Sequence, residues 1–232
     1  MDPKNKYSKM QQKQYDAEAA IWNPGCRDPV VGSFDRHNAW PDYDEFLFKS
    51  IDTSNKIALD FGCGPGRNIV KFDSKFLRID GVDISDLNLS NAEIWCQTNS
   101  IPAPNLFKNN GIDLELVPSN SYDIVFSTIC LQHICVHEIR FSLIKEFYRV
   151  LKVGGYVCLQ MGFGDRHPYS VGYFENNYDA TISNSGCDTR INSPEEPKSD
   201  LEKIGFHSFD YDIRPTGPGD HHSNWIFLRA IK

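Results

Sequence analysis

The sequence predicts an α/β protein with a doubly wound, mostly parallel sheet, and two patterns lead to this conclusion. Short apolar segments alternate with helix-forming segments along most of the chain, as happens when helices cover both faces of a parallel sheet. After residue 193 the pattern changes to one helix followed by two apolar segments. The residues that join these two, 214–224, are too few and too rich in Pro and Gly for a helical crossover, so we expect the last two strands to pair antiparallel.

The segments before the sheet predict two helices separated by a loop. Residues 5–22 are polar and rich in Lys, Gln and Ala, which favours an amphipathic helix ending near Trp22. Pro and Gly interrupt residues 23–42, so we expect a loop there, and residues 42–51 have the composition of a short helix.

Seven apolar segments then predict strands, and helix signals separate most of them. Residues 139–151 carry an apolar residue at every fourth position, which predicts a helix with one face on the sheet. We expect Gly154 and Gly155 to end this helix, because a left-handed C-cap favours glycine. Ser193 opens a capping box with Pro194 at the first helical position. The predicted strands are 57–61, 77–83, 105–109, 122–127, 156–161, 206–213 and 225–231, and the helices between them are 68–72, 85–97, 139–151 and 194–204.

Composition excludes several classes of protein. The 232 residues are 40% hydrophobic and 24% charged, as in ordinary globular proteins and unlike disordered chains. The longest uncharged, mostly apolar run, residues 124–136, is shorter than a membrane-spanning helix, and the N-terminus lacks the apolar part of a secretory signal. The net charge of −7 disfavours binding to nucleic acid through phosphates. Seven scattered cysteines without a CxxC pair favour a reducing compartment, so we expect a cytoplasmic protein.

A glycine-rich turn follows the first strand. Gly62, Gly64 and Gly66 allow the backbone to approach a ligand at the carboxyl end of that strand. A dinucleotide fingerprint would place its third glycine at position 67, which is Arg67. Asp60 is poorly placed for a pyrophosphate and well placed for a cation. The alternative is a purely structural corner between strand and helix.

A second acidic residue ends the next strand. Asp83 lies 17 residues after Gly66, the position at which a carboxylate accepts the two ribose hydroxyls of an adenosine. The alternative is a solvated acid at a strand end. NAD and S-adenosyl-L-methionine both carry this ribose, but the glycine spacing and Asp60 favour an amino-acid tail over a diphosphate.

Four motifs in this order resemble those of class I S-adenosylmethionine-dependent methyltransferases with a methyltransferase type 11/12-like domain. The resemblance covers about residues 55–161 and implies a Rossmann-like sheet of seven strands with an antiparallel last strand. One departure is Val153, where the family usually has Pro before the glycine pair. The matching segments are 59–66, 81–85, 121–127 with 131–133, and 148–155.

The resemblance implies S-adenosyl-L-methionine as cofactor, with S-adenosyl-L-homocysteine as product, bound at four strand ends. Asp83 would bind the ribose and Ile84 would pack on adenine. The residues implied near the methionine part and the methyl group are Asp60, Gly62, Cys63, Gly64, Ser127 and Thr128. Those implied near the adenine amino group are Asn110, Gly111 and Ile112, with Asp113 as an alternative to Asn110.

His133, which follows the fourth strand, is the candidate general base, needed only if the methyl acceptor is protonated at working pH. The alternative is that His133 caps the next helix or binds the backbone. His133 and His137 have the spacing of metal ligands, but the HExxH pattern fails because the Glu is Glu138, so we predict no metal.

We expect one domain, 1–232, in which two segments outside the core choose the acceptor. They are an N-terminal cap segment (1–54), which precedes the cofactor-binding core (55–161), and a lid or substrate insertion (162–192) before the C-terminal helix and strand pair (193–232). The alternative for both segments is ordinary packing without contact to the acceptor. Near the end of the chain, we expect Asp220, His221 and His222 to lie in a polar loop rather than to form a metal or base site. Aromatic and polar residues mark the two segments: Tyr15, Trp22, Arg27, His37, Trp40 and Tyr43 in the first, and Tyr169, Tyr173, Phe174, Tyr178 and Arg190 in the second.

The expected acceptor is a small molecule that attacks through O, N or S. Residues 127–130 lack the Asp/Asn-Pro-Pro-aromatic motif of DNA amino-methyltransferases, and we expect neither nucleic acid nor a membrane as partner. The alternatives are a cofactor-binding regulatory or complex subunit without catalysis, an RNA or protein methyltransferase, and a nicotinamide dehydrogenase. The sequence leaves the oligomeric state open.

Overall fold

The computed structural model describes residues 2–23, 43–164, 170–180, 188–217 and 222–232. These residues form a seven-stranded sheet whose spatial order is β3-β2-β1-β4-β5-β7-β6. The strands are β1 (Ile57–Phe61), β2 (Arg78–Asp83), β3 (Leu106–Lys108), β4 (Tyr122–Thr128), β5 (Leu151–Phe163), β6 (His207–Pro215) and β7 (Asn224–Ile231).

The directions of the strands confirm the predicted sheet. Neighbouring strands from β3 to β5 run parallel, whereas β7 runs antiparallel to both β5 and β6. The chain order reverses between β1 and β4, so the carboxyl ends of these two strands border a crevice. Open α/β sheets bind their ligands in such a crevice.

Six α-helices accompany the sheet in the described residues. Asp2 caps the first helix through a hydrogen bond from the Lys4 backbone N–H (3.0 Å), and Pro3 occupies its first position. No helix among the described residues has the length and apolar content that spanning a membrane would take. The helices are α1 (Pro3–Ala19), α2 (Tyr43–Leu47), α3 (Arg67–Phe72), α4 (Asp86–Thr98), α5 (His137–Val150) and α6 (Glu195–Ile204).

The core consists of one apolar cluster on each face of the sheet. Alternate residues of β4 point to opposite faces, so Val125 joins one cluster while Ile124 and Phe126 join the other. Helix α5 covers the first face with Leu143 and Phe147, both fully buried. The sheet thereby holds its strand ends in fixed positions at the crevice.

The glycine pair after α5 has a different role from the one predicted. The helix ends at Val150, and Leu151 is already extended and paired with Tyr122 of β4. The prediction that Gly154 and Gly155 end the helix is therefore wrong, because pairing with β4 begins three residues earlier. Gly154, with φ at +76°, instead lies within β5 where its register against β4 shifts.

Candidate functional site

The main cleft lies at the carboxyl ends of β1, β2 and β4. Its empty space, including the part open to solvent, is about 950 Å³. This volume suits a ligand of nucleoside size or larger. The walls come from the glycine turn after β1, the ends of β2 and β4, and one side of α1.

The glycine turn directs its backbone N–H groups towards β2. The N–H groups of Gly62 and Cys63 donate to the Val82 carbonyl oxygen (2.8 and 3.1 Å), and that of Gly64 donates to Asp83 Oδ2 (2.9 Å). Gly62 has φ at +72°, and a Cβ there would lie 2.2 Å from Cys130 Sγ, so only glycine fits. Since these three N–H groups already have acceptors, they form no cradle for a pyrophosphate.

Asp83 links the glycine turn to the start of α4. Besides the bond from Gly64, its Oδ1 accepts hydrogen bonds from the Ser85 N–H (2.9 Å) and from Asn88 Nδ2 (3.4 Å). Burial raises the pKa of the Asp83 carboxyl, and these hydrogen bonds oppose the rise. Asp83 lines the cleft, so its position at the end of β2 is as predicted.

Asp60 lies deeper than Asp83. Its side chain is fully buried, and neither carboxylate oxygen has a hydrogen-bond partner of good geometry among the described residues. Burial raises the pKa of Asp60 to about 7, while the neighbouring Asn68 and Arg67 side chains oppose the rise. Asp60 lies behind the glycine turn and does not line the cleft. Its role near a methionine amino group stays a prediction.

The other predicted cofactor residues divide between the cleft and its surroundings. Ser127 is buried and donates to the Phe61 carbonyl oxygen (2.9 Å), away from the cleft wall. Asn110 is occupied by its own turn, since its Oδ1 accepts from the N–H groups of Ile112 (2.8 Å) and Asp113 (2.9 Å). Neither Asn110 nor Ile112 lines the cleft. The predicted residues that do, besides Asp83, are Gly62, Cys63, Gly64, Ile84, Gly111 and Thr128.

Three side chains that sequence reasoning missed line the cleft with unpartnered acceptors. Gln11 Oε1, Asn88 Oδ1 and Asn109 Oδ1 are buried and have no hydrogen-bond partner among the described residues. The assignment of the Gln11 amide follows from its Nε2, which donates to the His133 carbonyl oxygen (2.7 Å). Asn109 directly follows β3, so its strand-end position was a usable signal. Gln11 and Asn88 face the cleft only through packing between helices.

Helix α1 lies across three strand ends. Ser8 donates to the Asn110 carbonyl oxygen after β3, and Gln11 binds the backbone after β4. Asp16 accepts a hydrogen bond from Ser85 Oγ (2.6 Å), at the start of α4. Tyr15 lines the cleft, and burial raises the pKa of its hydroxyl well above the ordinary value.

The remaining aromatic residues of the predicted cap segment have different surroundings. Trp22 packs edge-on against Trp95 of α4, with 6.3 Å between ring centroids. Tyr43 lies at the start of α2, on the opposite side of the sheet from α5. The predicted residues Arg27, His37 and Trp40 lie outside the described residues.

A buried carboxylate connects two histidines behind the cleft. Asp188 Oδ1 lies 2.6 Å from His133 Nδ1, and Asp188 Oδ2 lies 3.3 Å from His222 Nε2. All three side chains are less than a tenth exposed. Burial lowers the pKa of His133, but the charge and hydrogen bond of Asp188 outweigh it and hold the pKa above the ordinary value of 6.5. His133 Nε2 has no partner of good geometry among the described residues.

The spacing of His133 and His137 does not bring them to one site. His137 Nε2 contacts Asp200 Oδ2 (2.7 Å) rather than Asp188, so each histidine has its own carboxylate. His222 lies between β6 and β7, in the loop where it was expected, and its ring is buried against Asp188. Asp220 and His221 lie outside the described residues.

The described parts of residues 162–192 are anchored to α5. Arg140, 1% exposed, donates to the carbonyl oxygens of Ile134 and Tyr173 and to Thr189 Oγ1 (2.9 Å). Tyr173 is buried, whereas Phe174 is half exposed. Arg190 pairs its backbone N–H with the Val171 carbonyl oxygen (3.0 Å), and Tyr178 packs against Tyr7 of α1. Tyr169 lies outside the described residues.

Residues 59–159 match the family model described as a methyltransferase domain. The chain contains a methyltransferase domain. This match confirms the resemblance to class I S-adenosylmethionine-dependent methyltransferases that the motifs predict, and the strand order above is the Rossmann-like arrangement expected of them. The cofactor of this family is S-adenosyl-L-methionine.

Two curated proteins resemble the methyltransferase domain. The probable methyltransferase ltbC of Aspergillus luteorubrus is 35% identical over 118 residues, 47% of this chain and 41% of that protein. The S-adenosyl-L-methionine-dependent Diels-Alderase iccD of Talaromyces variabilis is 32% identical over 103 residues, 44% of this chain and 34% of that protein. The matched region thus spans less than half the length of either relative.

A solved structure shares the fold of the whole chain. Phosphoethanolamine N-methyltransferase 2 of Haemonchus contortus, in complex with phosphomonomethylethanolamine and S-adenosylhomocysteine, superposes with a TM-score of 0.66. The identity is 19%, and the match covers 100% of this chain and 60% of that one. At this identity the likeness concerns the fold alone.

Proposed function

We propose that this protein is an S-adenosyl-L-methionine-dependent methyltransferase that methylates a small molecule through O, N or S. The observation that carries the proposal is the hydrogen-bonding character of the main cleft. Its buried unpartnered side-chain atoms, on Gln11, Asn88 and Asn109, are acceptors, and Asp83 adds a carboxylate. A ligand with ribose hydroxyls, amino groups and a sulfonium charge supplies the matching donors and positive charge.

The same cleft suits a dinucleotide poorly. A pyrophosphate brings negative charge and hydrogen-bond acceptors, and it binds where backbone N–H groups are free. In this turn the N–H groups of Gly62, Cys63 and Gly64 donate to Val82 and Asp83 instead. The geometry therefore favours S-adenosyl-L-methionine over NAD.

The proposed contacts follow from the positions of the strand ends. Asp83 would accept the ribose hydroxyls, and Ile84 would pack on the adenine. Asn109, rather than Asn110, offers an unpartnered oxygen to the adenine amino group. Thr128, at the end of β4, would lie near the methyl group.

His133 lies behind the main cleft and does not line it, so it is the proposed general base only for an acceptor that carries a proton at its attacking atom and reaches Nε2. Asp188 holds Nδ1, which leaves Nε2 to take the proton. Because Asp188 holds the pKa of His133 above the ordinary value of 6.5, the imidazole is neutral, and able to act as a base, only above that raised pKa. The methyl donor is already electrophilic, so the remaining tasks of the chain are to orient the acceptor and to exclude water.

The second candidate function is catalysis with bound cofactor but without methyl transfer. Its support is the likeness to the Diels-Alderase of Talaromyces variabilis, which is named as S-adenosyl-L-methionine-dependent. A third alternative, a cofactor-binding subunit without catalysis, would bind the cofactor in the same cleft. Incubating the protein with methyl-labelled cofactor and a panel of small phenols, amines, thiols and carboxylic acids separates methyl transfer from both of these alternatives, since only a methyltransferase passes the label to an acceptor.

Calorimetry tests the cofactor assignment. We expect S-adenosyl-L-methionine and S-adenosyl-L-homocysteine to bind and NAD not to bind. Asp83→Asn should weaken cofactor binding by about 1–3 kcal/mol, the scale of lost charge-assisted hydrogen bonds. The control is Glu93→Gln, which removes an exposed acid from α4, the helix that follows Asp83. Equal affinity of the two folded variants, or preferential binding of NAD, would contradict the proposal.

A further inference from the structure

A second, smaller cavity adjoins the main cleft at the end of β4. Its empty space, including its mouth, is about 350 Å³. Arg67, Thr128 and Ile129 line both cavities, so ligands in the two would meet at this shared wall. Of the residues proposed to contact the cofactor, only Thr128 lines this second cavity among the described residues.

A buried amide donor points to the kind of ligand that the second cavity takes. Gln160 lines it and is only 3% exposed. Its Oε1 accepts a hydrogen bond from the Ile129 N–H (2.8 Å), which identifies the other amide atom as the NH₂ group. This Nε2 has no hydrogen-bond partner among the described residues. A buried donor left unpaired is costly, so a ligand that accepts a hydrogen bond there is favoured.

The charged residues that line this cavity also favour a ligand that accepts hydrogen bonds. Arg67 and Arg214 line it, and none of its described lining residues is an Asp or Glu. The guanidinium group of Arg donates hydrogen bonds to the oxygens of planar carboxylates and of tetrahedral phosphates. The second cavity thus adds the donors of Gln160 and Arg214 to that of Arg67, which both cavities share, whereas the unpartnered buried atoms of the main cleft are acceptors.

The rest of the wall is aromatic. Tyr43, Trp225 and Phe227 line the cavity from α2 and β7. The Arg214 guanidinium carbon also lies 5.8 Å from the centre of the Phe46 ring, next to Phe227. Flat apolar walls beside cationic donors suit a small ring or chain that carries an acidic group.

We propose that the second cavity is the methyl-acceptor subsite and that it binds the anionic group, carboxylate or phosphate, of a small acceptor. The inference rests on the proposed methyltransferase function and adds the substrate class. In this arrangement Gln160 and Arg214 hold the anion, and the attacking atom faces the shared wall at Thr128. Arg214 lines only the second cavity, so its replacement separates acceptor binding from cofactor binding.

The test uses calorimetry of the whole chain, with and without saturating S-adenosyl-L-homocysteine. The probes are benzoate, phenyl phosphate and neutral benzamide, and the first two distinguish a carboxylate from a phosphate preference. The variants are Gln160→Leu and Arg214→Gln, and the control is Lys145→Gln, which removes an exposed cation on α5. Circular dichroism confirms that each variant is folded.

We expect at least one anion to bind more tightly than benzamide. Each test variant should weaken anion binding about tenfold or more, while its affinity for S-adenosyl-L-homocysteine stays within about twofold of wild type. Equal binding of benzoate, phenyl phosphate and benzamide, or anion binding unchanged in both variants, would overturn the acceptor class alone. Absence of S-adenosyl-L-homocysteine binding by the wild type would overturn the proposed function, and the acceptor subsite with it.

Discussion

At the scale of single residues, the pair of His133 and Asp188 shows how burial and charge compete. Burial alone would raise the pKa of Asp188, but the charges and hydrogen bonds of His133 and His222 hold it well below the ordinary value of 3.8. The pKa of His133 shifts the other way, above 6.5, with Glu18 adding to the effect of Asp188. The folded protein therefore favours a charged pair over two neutral groups.

The pair gives a pH-dependent stability of predictable sign. A histidine with a raised pKa stabilises the fold below pH 6.5 and loses this effect as the pH rises through its folded pKa. An aspartate with a lowered pKa stabilises above pH 3.8 and loses the effect as the pH falls through its folded pKa. Asp188→Asn should therefore lower the free energy of unfolding most between these two values, by about 3 kcal/mol, and less as the pH rises above 6.5.

Urea unfolding of wild type and Asp188→Asn between pH 4 and 9 measures this dependence. His207→Gln serves as the control, because His207 lies exposed in β6. A deficit for Asp188→Asn that stays constant over this range would show that the pair is not ionised as described.

At the scale of elements, α1 decides how the cleft is closed. The helix contributes Tyr7, Ser8, Gln11 and Tyr15 to the cleft wall. Its hydrogen bonds reach backbone groups after β3 and β4 and the Ser85 side chain after β2. A ligand in the cleft would be covered by this helix, so the docking of α1 should control how fast the ligand leaves.

We predict that Asp16→Ala speeds the release of S-adenosyl-L-homocysteine. The change removes the hydrogen bond from Ser85 Oγ, which should cost about 1 kcal/mol of α1 docking, or about fivefold in rate. Stopped-flow displacement measures the release rate. Lys13→Ala, an exposed change on the same helix, is the control, and equal rates for the two variants would rule out this role of α1.

Local signals predicted most elements but misassigned the glycine pair after α5. The strand 57–61 was predicted with the bounds that β1 has, because a continuous apolar run ends there at a glycine turn. The end of α5 was misplaced because the glycine pair is a strong local signal for a C-cap. Pairing of Leu151 with Tyr122 overrides that signal, and it involves a strand that lies distant in sequence.

At the scale of the whole molecule, Arg140 connects α5 to the described parts of residues 162–192. Its buried guanidinium binds the backbone before α5 at Ile134 and reaches Tyr173 and Thr189 in the segment. Burial lowers the pKa of Arg140, so this placement has a desolvation cost that the hydrogen bonds offset. Asp188 directly precedes Thr189 in the chain, so we expect its contact with His133 to depend on this anchor.

Arg140→Met should lower the free energy of unfolding by about 3 kcal/mol, because it removes three buried hydrogen bonds and leaves the Tyr173 carbonyl oxygen without a donor. Lys145→Met, which makes the same chemical change at an exposed position of α5, should have little effect. Urea unfolding at one pH compares the two variants. A difference between them of less than about 1 kcal/mol would show that the segment does not depend on Arg140.

The sequence by itself determined the order of strands and helices, the glycine turn and the acid at the end of β2. These features depend on residues close together in the chain, where periodicity and turn chemistry act. The cofactor class followed from them, since Asp83 and the glycine turn need only the rule that parallel strands end at one edge.

The tertiary structure alone decided which side chains face one another across the site. His133 and Asp188 lie 55 residues apart, and Gln11 reaches the backbone of His133 from a distance of 122 residues. The second cavity joins Arg67, Gln160 and Arg214 from three separate parts of the chain. Such contacts arise from the packing of helices on the sheet, and no short-range pattern in the sequence encodes them.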